Sequence, residues 1–126
     1  MRASPLFDGP RAEAHARPFV DSPDHVKFVA YEDGEPVGFV SGVLTTHPDK
    51  GTEMFIYELG VAEAFRRRGI ARALVSALRD HAGALGCYGM WVLTDADSAG
   101  ALAAYRDAGA RPPTEHLMLE WELDAG

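Results

Sequence analysis

The sequence predicts an α+β fold in which helices on both faces cover a mixed, mostly antiparallel sheet. Three observations support this class. Alternating apolar runs indicate strands, two segments carry apolar residues at helical spacing, and a glycine follows each of these helical segments. The chain has 126 residues, of which 47% are hydrophobic and 25% charged, as expected for one globular domain spanning residues 1–126. The expected element order is ββ(βαβ)αβ, and its βαβ unit gives the fold an α/β character.

The first half of the chain predicts three strands. The runs that indicate them are residues 26–32, 37–45 and 53–61. Asp33 and Gly34 supply a tight turn between the first two strands, which should therefore pair antiparallel. In the third strand, alternation places four side chains on one side of the sheet: Phe55, Tyr57, Leu59 and Val61. Before these strands, residues 11–17 favour a short helix that ends at Pro18.

The second half predicts two helices and two further strands. The helices are expected at residues 69–85 and 99–108, and the strands at residues 88–94 and 117–123. The strand at 88–94 should run parallel to the third strand because a helix connects them. Asp97 or Ser98 can cap the second helix. Trp91 and Trp121 alternate with other apolar residues, so both are expected in the core.

Composition and charge exclude several function classes. The net charge of −7 argues against nucleic-acid binding. No apolar run approaches the ~20 residues that span a bilayer, so we expect no membrane partner. The single cysteine, Cys87, excludes an internal disulfide and favours a reducing, cytoplasmic location. The five histidines are scattered without zinc-ligand spacing, so no metal is expected.

The basic sequence R-R-R-G-I-A at residues 66–71 lies between the third strand and the first helix. A helix start leaves backbone N–H groups unpaired and carries partial positive charge, which favours a phosphate group there. A solvated basic turn is the alternative interpretation. A P-loop is disfavoured because Gly69 is followed by Ile70 and Ala71 instead of lysine and a hydroxyl residue. The residues therefore indicate an anion site without a metal.

Two motifs resemble those of the GNAT N-acetyltransferase superfamily. Its Arg/Gln-x-x-Gly-x-Gly/Ala motif is matched by Arg66, Gly69 and Ala71, within a run from residue 59 to residue 74. Its A-x-x-x-Y-x-x-x-G helix is similar to residues 101–109, with Tyr105 at the tyrosine position. The likeness covers residues 26–123. Three stretches resemble more specifically the class I aminoglycoside 3-N-acetyltransferases: residues 56–61, 81–88 and 117–121.

The resemblance implies a GNAT-like sheet whose two central parallel strands splay apart, with shortened N-terminal elements. It implies acetyl-CoA as acyl donor, with its pyrophosphate on the turn amides and Arg66, Arg67 or Arg72 neutralising the charge. The pantetheine arm would pair with the third strand at Leu59 and Val61. The residues implied in coenzyme A binding are Leu59, Gly60, Val61, Arg66, Arg67, Arg68, Gly69, Ile70, Ala71 and Arg72.

The resemblance also suggests the residues that perform the chemistry. Tyr105 would protonate the departing thiolate; the alternative is a core tyrosine with a purely structural role. Glu58 would take the proton of the acceptor amine, and its alternative is a solvent-facing strand residue. Glu53, Asp95 and His116 are weaker candidates for that base. Acidic residues that could bind a cationic acceptor are Glu58, Asp95 and Glu120.

The sequence thus predicts an acetyl-CoA-dependent N-acetyltransferase that transfers an acetyl group directly to a primary amine in a ternary complex. The expected acceptor is a small cationic molecule, preferably an aminoglycoside antibiotic. A polyamine, another metabolite or a protein amine is the alternative acceptor, and a non-catalytic acyl-CoA-binding module is the alternative function. A homodimer formed through the final strand is a further expectation.

Overall fold

A four-stranded sheet in the order β1-β2-β3-β4 forms the centre of the computed structural model, which describes residues 23–124. Its elements are β1 (His25–Glu32), β2 (Glu35–His47), β3 (Gly51–Val61), α1 (Ile70–Ala84), β4 (Gly89–Trp91) and α2 (Ala99–Asp107), with a 3₁₀ turn at Glu63–Phe65. The α+β class and the mixed sheet are confirmed. The helix predicted at residues 11–17 lies outside the described residues.

The parallel pairing in the sheet is short. β1 pairs with β2, and β2 with β3, both antiparallel, whereas β3 and β4 run parallel. Only three pairs join these parallel strands, from Glu53 opposite Gly89 to Phe55 opposite Trp91. β3 continues through residues 56–61, which have no sheet partner on their β4 side within residues 23–124. The two central strands therefore part after Phe55, and β4 is shorter than the predicted strand at 88–94.

A β-bulge at Tyr57 reverses the alternation of β3. Ser41 of β2 pairs with Glu58 and Gly42 pairs with Ile56, which leaves Tyr57 as the extra residue. Met54 and Ile56 therefore face the core before the bulge, and Leu59 and Val61 pack against that core after it. The expectation that Phe55, Tyr57, Leu59 and Val61 share one side is wrong, and Tyr57 is 61% exposed.

The core lies between the sheet and α1. Leu74 and Leu78 of α1 are fully buried against Val40 and Met54. Gly42 allows this close approach, since a Cβ there would lie 2.6 Å from the Met54 sulfur and 3.1 Å from Leu78. The predicted helix at 69–85 is confirmed with slightly shorter bounds.

α2 packs against α1 and completes this layer. A hydrogen bond of 2.7 Å from Arg79 Nη1 of α1 to the carbonyl of Ala108 joins the two helices at the end of α2. Tyr105 and Ala108 belong to the buried cluster. Ser98 is the N-cap residue of α2, although its side chain makes no capping hydrogen bond.

The final strand predicted at 117–123 does not form. Residues 110–124 adopt neither helix nor strand, and each of them is exposed. Trp121 is 78% exposed, and Trp91 is 43% exposed, so the expectation that both lie in the core is wrong. The physical reason is that an alternating segment forms a strand only where it pairs with a sheet edge, and residues 110–124 pair with no described strand. Within the described part of the chain, no helix is long and apolar enough to cross a membrane.

Candidate active site

The turn between β3 and α1 has a strained, open backbone. Arg66 is extended, Arg67 has a φ of 65°, and Gly69 has a φ of 81°. Both positive angles lie in the left-handed region, which glycine adopts without strain and arginine adopts at a cost. A Cβ on Gly69 would meet no atom within 4 Å, so conformation and not crowding favours glycine there. The turn consequently leads the chain into α1 through two left-handed residues.

Consecutive backbone amides at this turn have no backbone partner. The amide of Arg66 donates to the Glu63 carbonyl, and the next backbone hydrogen bond is that of the Ala73 amide to the Gly69 carbonyl. The six amides of residues 67–72 therefore donate no backbone hydrogen bond to any residue from 23 to 124. They lie at the positive end of α1, where the helix dipole favours an anion. Left-handed residues beside a helix start are typical of backbone anion-binding sites.

The arginines around these amides are not equivalent. Arg66 donates its Nε to the Val61 carbonyl at 3.0 Å, which ties the turn to the end of β3. Arg68 forms an ion pair of 2.7 Å with Glu32 and also lies over the Phe65 ring. Arg67 and Arg72 are exposed and have no ion pair in the described region. Two guanidinium groups therefore remain available to an anion at the amides.

The unpaired part of β3 leads directly into this turn. Leu59, Gly60 and Val61 form the last residues of β3, beyond the point where β4 leaves the sheet. A Cβ on Gly60 would lie 3.0 Å from the Phe39 ring, so a side chain there would displace that aromatic ring. An open pocket of about 350 Å³ at this end of the sheet is lined mainly by β1 and β2, and only Gly60 and Val61 of β3 contribute to it. The edge of β3 that is open to an extended ligand is the opposite one, where residues 56–61 have no described sheet partner on their β4 side.

Glu58 lies within the bulge and is exposed to solvent. Its cross-strand neighbour Ser41 is 1% exposed, and the Ser41 hydroxyl has no hydrogen-bond partner among residues 23–124. Two aromatic residues, Phe55 and Tyr57, precede it closely in the chain, and their ring centroids are 6.4 Å apart. The Phe55 ring also contacts that of Trp91, at 4.4 Å between centroids. The bulge therefore carries one carboxylate next to a partly exposed aromatic cluster.

Tyr105 is a buried residue of α2 and is 9% exposed. Burial raises the pKa of its hydroxyl above the ordinary value of 10, so the group stays protonated at neutral pH. Its packing matches the structural interpretation, and its protonated hydroxyl fits the acid role, which stays a prediction.

Three other candidates for the base and for acceptor binding lie outside the helices and strands. Asp95 is exposed in the loop before α2, where its carbonyl accepts the Ser98 amide at 3.1 Å. Glu120 lies in the exposed segment after α2 and outside the sheet of its own chain. His116 in the same segment is within 2.7 Å of the Thr114 hydroxyl. The bulge, the end of β3 and the turn thus follow one another along the chain, whereas Asp95 and Glu120 belong to separate loop segments.

A polar cluster at the opposite end of β3 was not identified from the sequence. Glu53 lies 3.0 Å from His47 Nε2 and accepts a hydrogen bond of 2.9 Å from the Tyr88 hydroxyl. These two hydrogen bonds lower the pKa of the Glu53 carboxyl, and the one with His47 has the larger effect. No local pattern signals the contact between Glu53 and Tyr88, which are 35 positions apart. Between residues 23 and 124, no group of three His, Cys, Asp or Glu side chains is arranged to hold a metal ion.

The chain matches known acetyltransferases in sequence and in structure. Residues 2–110 match the family described as the acetyltransferase (GNAT) family. A comparison with curated protein sequences gives no match. A solved structure of the aminoglycoside acetyltransferase HMB0005, from an uncultured soil metagenomic sample, is 32% identical, covering 86% of this chain and 74% of that chain, with a TM-score of 0.71.

Two further solved structures share the fold at lower identity. The aminoglycoside acetyltransferase meta-AAC0020, also from an uncultured soil metagenomic sample, has a TM-score of 0.79 at 20% identity, covering 98% of this chain and 80% of that chain. AAC(6')-Iy in complex with the bisubstrate analog CoA-S-monomethyl-acetylneamine has a TM-score of 0.74 at 18% identity, covering 92% and 82%. The family match extends over both motifs, the splayed strands and the amide-lined turn, so the chain belongs to the acetyltransferase (GNAT) family.

Proposed function

We propose that this protein is an acetyl-CoA-dependent N-acetyltransferase that acetylates a primary amine of an aminoglycoside by direct transfer. The observation that carries the proposal is the row of six unpaired amides at residues 67–72, placed at the end of the unpaired edge of β3. A diphosphate and an extended amide-containing arm need these two features side by side. Coenzyme A contains both groups.

The residues of the turn fit the diphosphate of the donor. The amides of residues 67–72 would donate to its oxygens, and Arg67 and Arg72 would neutralise its charge. Arg66 would act mainly by holding the turn against Val61. The backbone of Leu59, Gly60 and Val61 would pair with the pantetheine amides as an added strand does.

The chemistry needs three proton transfers around the breaking carbon–sulfur bond. The acceptor arrives as an ammonium ion, and Glu58, exposed at the bulge, would remove its first proton directly or through water. The amine nitrogen then bonds to the acyl carbon while the bond from that carbon to sulfur breaks, and the nitrogen releases its second proton to water as the neutral amide forms. A backbone amide at residues 59–61 would stabilise the negative charge on the acyl oxygen. Tyr105, protonated because burial raises its pKa, would donate its proton to the departing sulfur.

Three observations favour an aminoglycoside as the acceptor. The relative at 32% identity is an aminoglycoside acetyltransferase. The net charge of −7 attracts a molecule that carries several ammonium groups. The exposed rings of Tyr57 and Trp91 offer apolar faces beside Glu58 on which sugar rings can pack. The likeness of residues 56–61, 81–88 and 117–121 to class I enzymes favours the 3-amino group as the acetylated position.

A thiol-release assay tests the proposal. Acetyl-CoA would be incubated with the protein and with gentamicin, spermidine or a lysine peptide, and free coenzyme A would be measured. Turnover with gentamicin is expected, and NMR of the product would identify the acetylated amine. Turnover only with spermidine or the peptide would replace the acceptor but keep the chemistry. Calorimetric binding of coenzyme A without turnover on any amine would identify a non-catalytic acyl-CoA-binding module.

A further inference from the structure

Ser41 of β2 has a buried hydroxyl without a hydrogen-bond partner. The residue is 1% exposed, and its hydroxyl forms no hydrogen bond with residues 23–124. A buried hydroxyl that loses its water and gains no other bond destabilises the fold, and alanine at this position would avoid that cost. Buried polar groups in native proteins are otherwise almost always paired. An unpaired one that persists is typical of functional sites, where local stability is given up for function.

The Ser41 side chain lies on the face of the sheet opposite α1. Both of its neighbours in β2 face α1: Val40 belongs to the buried cluster, and a Cβ on Gly42 would lie 3.1 Å from a leucine of α1. Side chains alternate along a strand, so Ser41 points the other way. Glu58 of β3 does so too, because the next residue, Leu59, packs against the core. The hydroxyl and the carboxylate therefore share one face of the sheet.

Ser41 and Glu58 are direct partners in the antiparallel pairing of β2 and β3. The Cβ atoms of such partners are about 5 Å apart. The exposed Glu58 side chain has three rotatable bonds, so its carboxylate can turn until one oxygen accepts a hydrogen bond from the Ser41 hydroxyl. On its β1 side, Ser41 is paired with Lys27, whose amine lies 4.9 Å from the centre of the Phe39 ring. An ammonium group cannot accept a hydroxyl proton, so Glu58 is the charged acceptor that the pairing brings next to Ser41.

The strand pairing makes Ser41 a fixed support beside an open edge. Ser41 is paired on both sides, with β1 and with β3, whereas β4 has left the sheet before Glu58 is reached. The bulge places Tyr57 and Glu58 together opposite Ser41. Leu59, the next residue, begins the backbone segment proposed to bind the thioester. A carboxylate held by Ser41 would therefore act next to that segment.

We propose that Ser41 is a positioning residue that holds the Glu58 carboxylate toward the acceptor amine during acetyl transfer. The role rests on the proposed function, in which Glu58 is the base. One carboxylate oxygen accepts the hydrogen bond of the Ser41 hydroxyl, and the other takes the first proton of the acceptor ammonium group. The hydroxyl keeps its own proton throughout, so the net transfer runs from the acceptor nitrogen to Glu58. A base held in this way is already oriented when the acceptor arrives.

Steady-state kinetics and urea unfolding of Ser41→Ala test this role. The variant removes an unpaired hydroxyl and leaves a methyl group in its place, so its urea midpoint should equal or exceed that of wild type. With the amine that wild type acetylates fastest, kcat at pH 7 should fall about 10-fold, while KM for acetyl-CoA should stay the same. Thr45→Val removes an exposed hydroxyl four residues further along β2 and, as the matched control, should keep the wild-type kcat. An unchanged kcat in Ser41→Ala, or a clearly lower urea midpoint, would overturn the role.

A double-mutant cycle with Glu58→Gln separates positioning from a purely structural effect. A hydroxyl that acts only through Glu58 has nothing to orient once the carboxylate is absent. Ser41→Ala should therefore cause no further loss of kcat in the Glu58→Gln background. Two losses that multiply in the double variant would show that Ser41 acts independently of Glu58, and the role would be wrong.

The defect of Ser41→Ala should also depend on pH. An amine whose pKa is about 8 arrives mostly neutral at about pH 9 and needs no base, so the kcat ratio of wild type to Ser41→Ala should approach one there. His25 and Lys27, the titratable groups of β1 beside Ser41 on this face, are present in both proteins, so their titration cancels in the ratio. A ratio that does not change with pH would overturn the role. A wild type that acetylates no amine would refute the proposed function and this role together, whereas an active wild type beside an equally active Ser41→Ala would refute the role alone.

Discussion

Arg68 donates from its Nη2 to the Glu32 carboxylate at 2.7 Å, and this ion pair joins the turn before α1 to the last residue of β1. The contact separates the functions of three consecutive arginines. Arg66 bonds to the end of β3, Arg68 bonds to the end of β1, and Arg67 remains exposed between them. Two of the three guanidinium groups therefore shape the turn, and the third is open to a ligand.

Substitution of these arginines should affect coenzyme A binding unequally. Arg67→Ala and Arg72→Ala each remove an available guanidinium group and should weaken the calorimetric dissociation constant for coenzyme A about 10-fold, and more at low salt. Arg68→Ala should weaken it less than threefold and lower the free energy of unfolding by less than about 1 kcal/mol, because its ion pair is partly exposed. Equal losses of affinity in all three variants would contradict this division.

Two glycines with similar conformations flank α1 and provide a matched comparison. Gly69 has a φ of 81° and Gly86 has a φ of 83°, and a Cβ would meet no atom within 4 Å at either position. Alanine at either position should therefore cost about 1 kcal/mol of unfolding free energy through backbone strain alone.

Only Gly69→Ala should also weaken coenzyme A binding, because the strain would rotate the amides that precede α1. Denaturant unfolding and calorimetry on both variants check the two halves of this prediction. A loss of affinity in Gly86→Ala as large as in Gly69→Ala would show that general destabilisation, and not the geometry of the turn, is measured.

The sequence predicted those parts of the structure that depend on neighbouring residues. Asp33 and Gly34 both adopt positive φ and form the expected turn, and Leu74 and Leu78 lie on the buried side of α1 as their spacing indicates. The amides before Ala73 were predictable for the same reason, since any helix start leaves them unpaired. The local part of the candidate site was therefore accessible from sequence.

Contacts between distant residues were not predictable in this way. Arg68 and Glu32 are 36 positions apart, and nothing in the basic turn indicates which arginine forms the ion pair. The bulge at Tyr57 depends on how β3 pairs with β2. Its one trace in the sequence is that the apolar core positions shift from the even-numbered Met54 and Ile56 to the odd-numbered Leu59 and Val61. Residues 117–123 were predicted as a strand because their alternation indicates an amphipathic segment. Alternation does not show whether a sheet edge is available to pair with that segment.

Tyr105→Phe tests the acid role of the buried hydroxyl. The ring keeps its packing, so coenzyme A affinity and thermal stability should change little, whereas kcat should fall about 10²-fold or more. Because burial raises the pKa of Tyr105 above 10, loss of its proton should not limit the rate below that pH. Tyr88→Phe, which removes a hydroxyl at the other end of β3, is the control and should keep its kcat. An unchanged kcat in Tyr105→Phe would leave this residue with a structural role only.

Glu58→Gln tests the base. Amide replaces carboxylate in an exposed position of the bulge, so the fold should persist while acetylation of a protonated amine slows about 10²-fold. The acid side of the rate profile in kcat/KM should change as well, since the group that must be deprotonated is absent. Glu35→Gln, at the exposed start of β2, should behave as wild type. An identical pH profile in Glu58→Gln would exclude it as the base.

The cluster of Glu53, His47 and Tyr88 predicts a pH-dependent contribution to stability. Hydrogen bonds from His47 and Tyr88 lower the pKa of Glu53 below its ordinary value of 4.5 in the folded protein. A carboxyl whose folded pKa is depressed stabilises the fold above its unfolded pKa, and this stabilisation is lost as the pH falls through the folded pKa. Glu53→Gln should therefore unfold at lower urea than wild type at pH 7, and the difference should shrink below pH 4.5. Urea unfolding of wild type and Glu53→Gln at pH 7 and at pH 3 measures this difference, with Glu35→Gln as control. A difference that persists unchanged at pH 3 would mean that packing, and not the charge of Glu53, stabilises the cluster.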